Sequence, residues 1–281
     1  STPRWLTERL NDRSERTGTT RLRADLWDGK ALREGTDGIA VEVPVALVYN
    51  GVSHAVMLAT PCDLTDFARG FTLSEAIAGS AAELLGIEVD ESDPAGISID
   101  VDLTARAFAR LSARRRSLAG ATGCGLCGVE SLQQVHREVP PVAGAARLDP
   151  GSLARGLDQL DDMQPMRAET GSVHVAAWVD PAGEVRLARE DVGRHNALDK
   201  LLGARALATC GDGFALISSR ASYEMVLKAG TMGVEILAAV SAPTSLAVRT
   251  ADSIGMTLVG FARDGRFKVY TRPDRIRTTI G

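Results

Sequence analysis

The alternation of short apolar runs with helical spacing after residue 173 constrains this chain most. Val173 to Val179 and Glu184 to Arg189 read as strands around an Asp180-Pro-Ala-Gly183 turn. Asn196 to Ala208 reads as a helix, Phe214 to Ser218 as a strand, Tyr223 to Met232 as a helix and Ile236 to Val240 as a strand. Thr244 to Ile254 follows as a helix, with strands at Leu258 to Ala262 and Phe267 to Tyr270. Strands that alternate with helices form an α/β layer, expected here to hold a substantially parallel sheet.

The upstream part reads differently. Ile39 to Tyr49 and Val52 to Ala59 flank Asn50-Gly51, the strongest short hairpin signal. A helix over Asp63 to Ile77 and strands at Leu85 to Val89 and Ile97 to Leu103 complete a smaller α+β unit. Residues 1–37 are polar and weakly periodic and read as a loose arm. The expected division is thus an arm over 1–37, the α+β unit over 38–118 and the α/β domain over 119–281. A Pro/Gly/Ala-rich stretch at Pro140 to Ala146 reads as a surface loop, and Asp149 as the cap of a helix running to Met163.

A net charge of −4 gives no bulk argument for nucleic acid or an anionic membrane. No apolar run approaches the roughly 20 residues that span a bilayer, and the polar N-terminus does not read as a secretory signal. The four cysteines in 281 residues do not resemble a disulfide scaffold. A cytoplasmic protein with reduced thiols is expected. The cluster of Arg110 and Arg114 to Arg116 reads as a solvated face.

The chemistry concentrates in Gly120-Ala-Thr-Gly-Cys-Gly-Leu-Cys-Gly128. Its pair, Cys124 and Cys127, fits zinc ligation, thiol–disulfide exchange or covalent sulfur transfer. A structural zinc site takes four ligands, often as two such pairs, and only one pair is present. A thioredoxin-type motif starts a helix, whereas Gly123, Gly125 and Gly128 surround this pair with backbone freedom. That freedom suits a thiol that receives a group at one place and releases it at another. A zinc deaminase would need His-x-Glu followed by Pro-Cys-x-x-Cys. Here His174 is followed by Val-Ala and the cysteine pair lies upstream.

The loop Thr122-Gly-Cys-Gly-Leu-Cys-Gly-Val-Glu130 resembles the signature of the formate dehydrogenase accessory sulfurtransferases, the FdhD family. Further segments are similar in the same order. They include Thr60-Pro-Cys-Asp-Leu64, Gly70-Phe-Thr-Leu-Ser-Glu75, Thr170-Gly-Ser-Val-His174 and Glu190-Asp-Val-Gly-Arg-His-Asn-Ala-Leu-Asp-Lys200. Ser218-Ser-Arg-Ala-Ser-Tyr-Glu-Met225, Gly233-Val-Glu-Ile-Leu237, Ser241-Ala-Pro-Thr244 and Leu258-Val-Gly-Phe-Ala-Arg263 also match.

The resemblance implies a cytidine-deaminase-like α/β/α domain with a smaller domain, usually as a homodimer. It implies a sulfurtransferase that takes persulfide sulfur from a cysteine desulfurase on Cys124, with Cys127 beside it. The recipient would be the molybdenum cofactor, bis(molybdopterin guanine dinucleotide), on its way to formate dehydrogenase. The implied cofactor-contacting segment is Phe261, Ala262, Arg263, Asp264, Gly265 and Arg266. The resemblance implies no intrinsic metal. From the residues themselves, Arg220 joins these as a phosphate donor, and His195 as a proton shuttle or hydrogen-bond donor to the cofactor. The alternative is a chaperone that binds the cofactor without a sulfur step.

Overall fold

The computed structural model describes residues 17–119, 139–142 and 144–277. Cys124 and Cys127 lie outside the described residues. The molecule is mixed α/β, and the described residues form three sheets with helices on both faces of the largest.

The arm expected to be loose carries a long antiparallel hairpin, β1 (Thr19–Trp27) and β2 (Leu32–Ala40). Most of its side chains are exposed; β1 alternates polar and apolar residues from Arg21 to Leu26, but β2 does not, so the pair carries no shared apolar face.

The second sheet runs β4-β3-β6-β5, from β3 (Val43–Tyr49), β4 (Val52–Ala59), β5 (Leu84–Asp90) and β6 (Ile97–Leu103). Asn50 and Gly51 both take positive φ, as a tight two-residue turn requires. In β3, Val43, Val45, Leu47 and Tyr49 are buried and the intervening residues half-buried. Period-two burial of this kind fixes the register. Helices α1 (Leu64–Ser74) and α2 (Ala105–Ala119) accompany this sheet, and its core includes Phe67, Phe71 and Leu111. Within the expected arginine cluster, Arg110 pairs with Glu83 and Arg114 donates to the Glu75 carbonyl.

The third sheet has six strands in the order β12-β11-β10-β9-β7-β8. These are β7 (His174–Val179), β8 (Val185–Asp191), β9 (Phe214–Ile217), β10 (Ile236–Ala239), β11 (Thr257–Arg263) and β12 (Arg266–Val269). Only the neighbours β9–β10 and β10–β11 pair parallel; β7–β9, β7–β8 and β11–β12 pair antiparallel. The sheet is therefore mixed rather than substantially parallel. Helices α3 (Pro150–Leu160) and α4 (Pro165–Thr170) precede it. Within it lie α5 (Arg194–Arg205), α6 (Tyr223–Thr231) and α7 (Ser245–Ser253).

The α5–α7 helices pack on one face through Leu198, Leu201, Met225 and Ala247, while α3 covers the other through Leu153 and Leu160. Asp149 caps α3 by accepting from the Ser152 N–H, and Thr244 caps α7 through Ala247.

Helices α1 and α5 join the two larger sheets. A Cβ on Gly70 would strike the Asp199 carbonyl, and one on Gly203 the Asp66 carbonyl. The helices therefore touch backbone to backbone, with no room for a methyl group. Gly203→Ala is expected to destabilise the protein by about 1–3 kcal/mol through forced separation of the helices. Urea unfolding measures this; an unchanged midpoint would show that the contact can open freely.

Candidate functional site

The segment from Glu190 to Lys200 holds together elements far apart in sequence. β8 ends at Asp191, Gly193 caps α5, and Lys200 sits two turns into that helix. The buried Asp191 carboxylate accepts from the Thr60 N–H (3.1 Å), the Thr60 hydroxyl (2.9 Å), the Gly193 N–H (2.8 Å) and the Asn196 amide (3.0 Å). Its cation is Lys200, 2.7 Å away and wholly buried. The ammonium also donates to the Thr60 hydroxyl at 2.7 Å and to the Glu190 carbonyl at 3.3 Å. Thus Thr60, at the end of β4, is tied to the β8–α5 turn. A buried pair with this many partners meets the condition under which burial of charge is tolerated.

Glu190 makes a further junction. Its carboxylate accepts from the Met166 and Arg167 N–H groups at the start of α4, each at 3.0 Å. Burial pushes its pKa above the ordinary glutamate range.

A second buried cation, Lys228 of α6, lies 2.9 Å from Asp199 and 2.7 Å from Glu75. Ser74 donates to Asp199 at 2.6 Å. Burial alone would push the Lys228 ammonium down. The Asp199 and Glu75 carboxylates reverse this and hold it above the ordinary lysine range.

These junctions position one end of the six-stranded sheet. The segments after β9, β10 and β11 lie side by side there. Val240 donates to the Ile217 carbonyl, Thr244 to that of Ala221, and Phe261 to that of Ser241. His174, the first residue of β7, is at the same end because β7 opposes β9, with Ser218 bonded to Val175. Helices α5, α6 and α7 all begin at this end, on Gly193, Ser222 and Thr244. Strand carboxyl ends with converging helix N-termini suit an anionic ligand, because unpaired N–H groups and helix dipoles present positive potential.

His195 stands in the first turn of α5, with Nε2 3.7 Å from the Glu224 carboxylate. Its Nε2 and the Arg194 Nε are buried with no hydrogen-bond partner among the described residues. Burial pushes the His195 imidazole below the usual range, and Arg194 adds to this. His174 is lowered in the same way, first by burial and then by Arg194 and Arg167. Both rings are therefore held neutral at pH 7. Arg220 follows β9 and is exposed.

The segment Phe261 to Arg266 forms the tight connection between β11 and β12. Asp264 and Gly265 take positive φ, the requirement of a two-residue hairpin turn, and Phe261 is left-handed beside a register shift after Gly260. A cavity of about 770 Å³ is lined here by Phe261, Arg263, Asp264, Gly265, Arg266 and Phe267, with Lys268 also against it. Lys268 lies 4.7 Å from the Phe261 ring centroid. The structure thus gathers the expected segment into one cationic, aromatic-edged hollow, except that Ala262 is buried behind it. Among the described residues, no three His, Cys, Asp or Glu side chains form a group that could hold a metal ion.

Comparison with known proteins identifies the chain at this point. The model of the FdhD/NarQ family matches residues 40–277. The chain belongs to this family. A relative from Cupriavidus necator, named sulfur carrier protein FdhD, is 52% identical over 255 residues, covering 89% of this chain and 88% of the relative. A crystal structure from Desulfotalea psychrophila, of a protein titled as a candidate formate dehydrogenase accessory protein, superposes with a TM-score of 0.72 at 24% identity. It covers 92% of this chain and 99% of its own. That likeness concerns the fold.

Sequence reasoning did not foresee Thr60, Asp191 and Lys200 as one buried unit, nor Lys228 with Asp199. The available signal was the rarity of lysine, with only four in the chain, two of them on helices among apolar neighbours. Lys200→Met leaves the Asp191 carboxylate buried without its cation. The expected cost is about 3–5 kcal/mol of stability, measurable by urea unfolding; a loss within error would mean that the Thr60, Gly193 and Asn196 donors suffice.

Proposed function

We propose that this chain is a sulfur carrier that accepts sulfur as a persulfide on Cys124 and delivers it to a molybdenum cofactor destined for formate dehydrogenase. The observation that carries this reading is family membership across residues 40–277, a span that includes the Cys-x-x-Cys segment. The name of the 52% identical relative supports the sulfur-carrying part.

The acceptor step is a thiolate exchange. Cys124 as thiolate attacks the outer sulfur of a persulfide on a cysteine desulfurase. A sulfur–sulfur bond forms on Cys124, the donor's breaks, and the donor cysteine departs as thiolate, with no net oxidation. Cys127, three residues on, protects or resolves the persulfide. The cargo is bis(molybdopterin guanine dinucleotide), a polyanion. The sheet end supports its binding with helix N-termini and with Arg263, Arg266 and Lys268, while Phe261 and Phe267 offer ring faces for a guanine base. Arg220 and the neutral His195 are assigned to the same ligand, the latter through its unpartnered Nε2. The chain acts as a cytoplasmic homodimer. No described helix is long and apolar enough to cross a membrane.

Incubation with a cysteine desulfurase and cysteine, followed by mass spectrometry, is expected to add one sulfur mass to Cys124 of the wild type and none to a Cys124→Ala variant. Unimpaired sulfur delivery by that variant would exclude the relay. A chaperone that only binds the cofactor would show no added sulfur in either protein.

Arg266→Ala is expected to weaken binding of guanosine diphosphate about tenfold, the loss of one charge-assisted phosphate contact. Calorimetry reads this directly, and equal affinity would remove Arg266 from the site.

A further inference from the structure

Arg194, in the first turn of α5, is the cation of the sheet end that the fold does not spend on itself. It is half-buried, and it makes no hydrogen bond or ion pair among the described residues, although its Nε is shut off from solvent. A buried donor without an acceptor is costly. Other donors gather beside it from three elements. His174 lies opposite Asp191 in the β7–β8 register, and Asp191 holds the N–H of Gly193, the residue before Arg194. Burial, then Arg194, then Arg167 of α4 hold the His174 imidazole below its usual range; burial and then Arg194 do the same to His195. Arg167, His174, Arg194 and His195 therefore share one neighbourhood.

The carboxylates nearby are committed elsewhere. Asp191 pairs with Lys200 and accepts from Thr60, Gly193 and Asn196. Glu190 takes the Met166 and Arg167 N–H groups. Glu224 stands against His195 and accepts from the Ser222 hydroxyl at 2.8 Å. None of the three forms an ion pair with Arg194. The β11–β12 hollow is a different place. It has its own cations and rings, enough for the phosphates and the base of one nucleotide. In the sheet order β9 and β10 separate β7 from β11. Three strand spacings of about 4.8 Å put the two places about 14 Å apart.

The geometry points to a second anion seat at the start of α5, in which Arg194 and His174 take a phosphate-type oxyanion lying beyond the nucleotide held in the β11–β12 hollow. The planar guanidinium fork suits such a group, because two N–H donors meet two oxygens at once. A neutral imidazole adds one more N–H without competing for the charge. The ligand class follows from the separation. A simple nucleotide fills the hollow alone, whereas a ligand that uses both places is extended and carries a further anionic group. The seat rests on the reading of the sheet end as the ligand site, and it does not depend on the sulfur step at Cys124.

The test is calorimetry on the full chain, with inorganic pyrophosphate as the probe and saturating guanosine diphosphate present to fill the hollow. The loaded wild type is expected to bind pyrophosphate. Arg194→Gln is expected to weaken that binding about tenfold or more, the loss of a charge-assisted contact, while its affinity for guanosine diphosphate stays within about twofold. Retained guanosine diphosphate binding, with circular dichroism, shows that the variant is folded. Arg194→Lys keeps the charge without the fork and is expected to recover part of the affinity. Failure of the loaded wild type to bind pyrophosphate, displacement of one ligand by the other, or equal pyrophosphate affinity in Arg194→Gln overturns the second seat. A wild type that binds no guanosine diphosphate would sink the reading of the hollow instead, and Arg194-dependent pyrophosphate binding would still support the seat.

Discussion

The Asp191 carboxylate, buried against Lys200 and Thr60, is the interaction on which the rest of the structure depends. It closes the β8–α5 turn through Gly193 and Asn196, and it reaches across the molecule to the end of β4. Isolated burial of either charge would be prohibitive. Together, with the Lys200 ammonium also donating to the Thr60 hydroxyl and the Glu190 carbonyl, they fix where α5 begins. The start of α5 in turn fixes Arg194 and His195. One electrostatic joint thereby sets both the relation of the two larger sheets and the aim of residues at the sheet end.

That sheet end is built from main-chain features before any side chain is considered. Three parallel strands present their carboxyl ends, and three helices begin beside them. The β11–β12 turn adds cationic side chains and aromatic rings at one side. The half-buried His195 and His174 are both shifted toward the neutral form by burial and by neighbouring arginines. Fixed positive potential beside two imidazoles suits an anion on electrostatic grounds.

Much of this was legible in the sequence where side-chain pattern and backbone requirement agree. The Asn50-Gly51 turn, the Asp149 cap and the α5–β9–α6–β10–α7 alternation all carried local signals. The hairpin of β1 and β2 was not legible, because only β1 alternates, from Arg21 to Leu26, while β2 does not and most of both strands is exposed. Strand direction at β7, β8 and β12 was equally hidden, since periodicity describes faces and not orientation. The buried lysines escaped notice because Lys200 and Lys228 acquire meaning only beside Asp191 and Asp199, which fold places next to them. Of the site, the order of short motifs pointed to the β11–β12 turn and to His195, while Glu224 and Lys268 emerged from geometry alone.

The Gly70–Gly203 crossing has a mechanical consequence. Helices separated by side chains can slide as rotamers change, but α1 and α5 meet peptide against peptide, and the buried Lys228–Asp199–Ser74 cluster joins the same elements. Such a seam transmits displacement without absorbing it. The two larger sheets behave as one rigid casting at this crossing, a jig that presents its surfaces at fixed angles rather than jaws that close on what they hold.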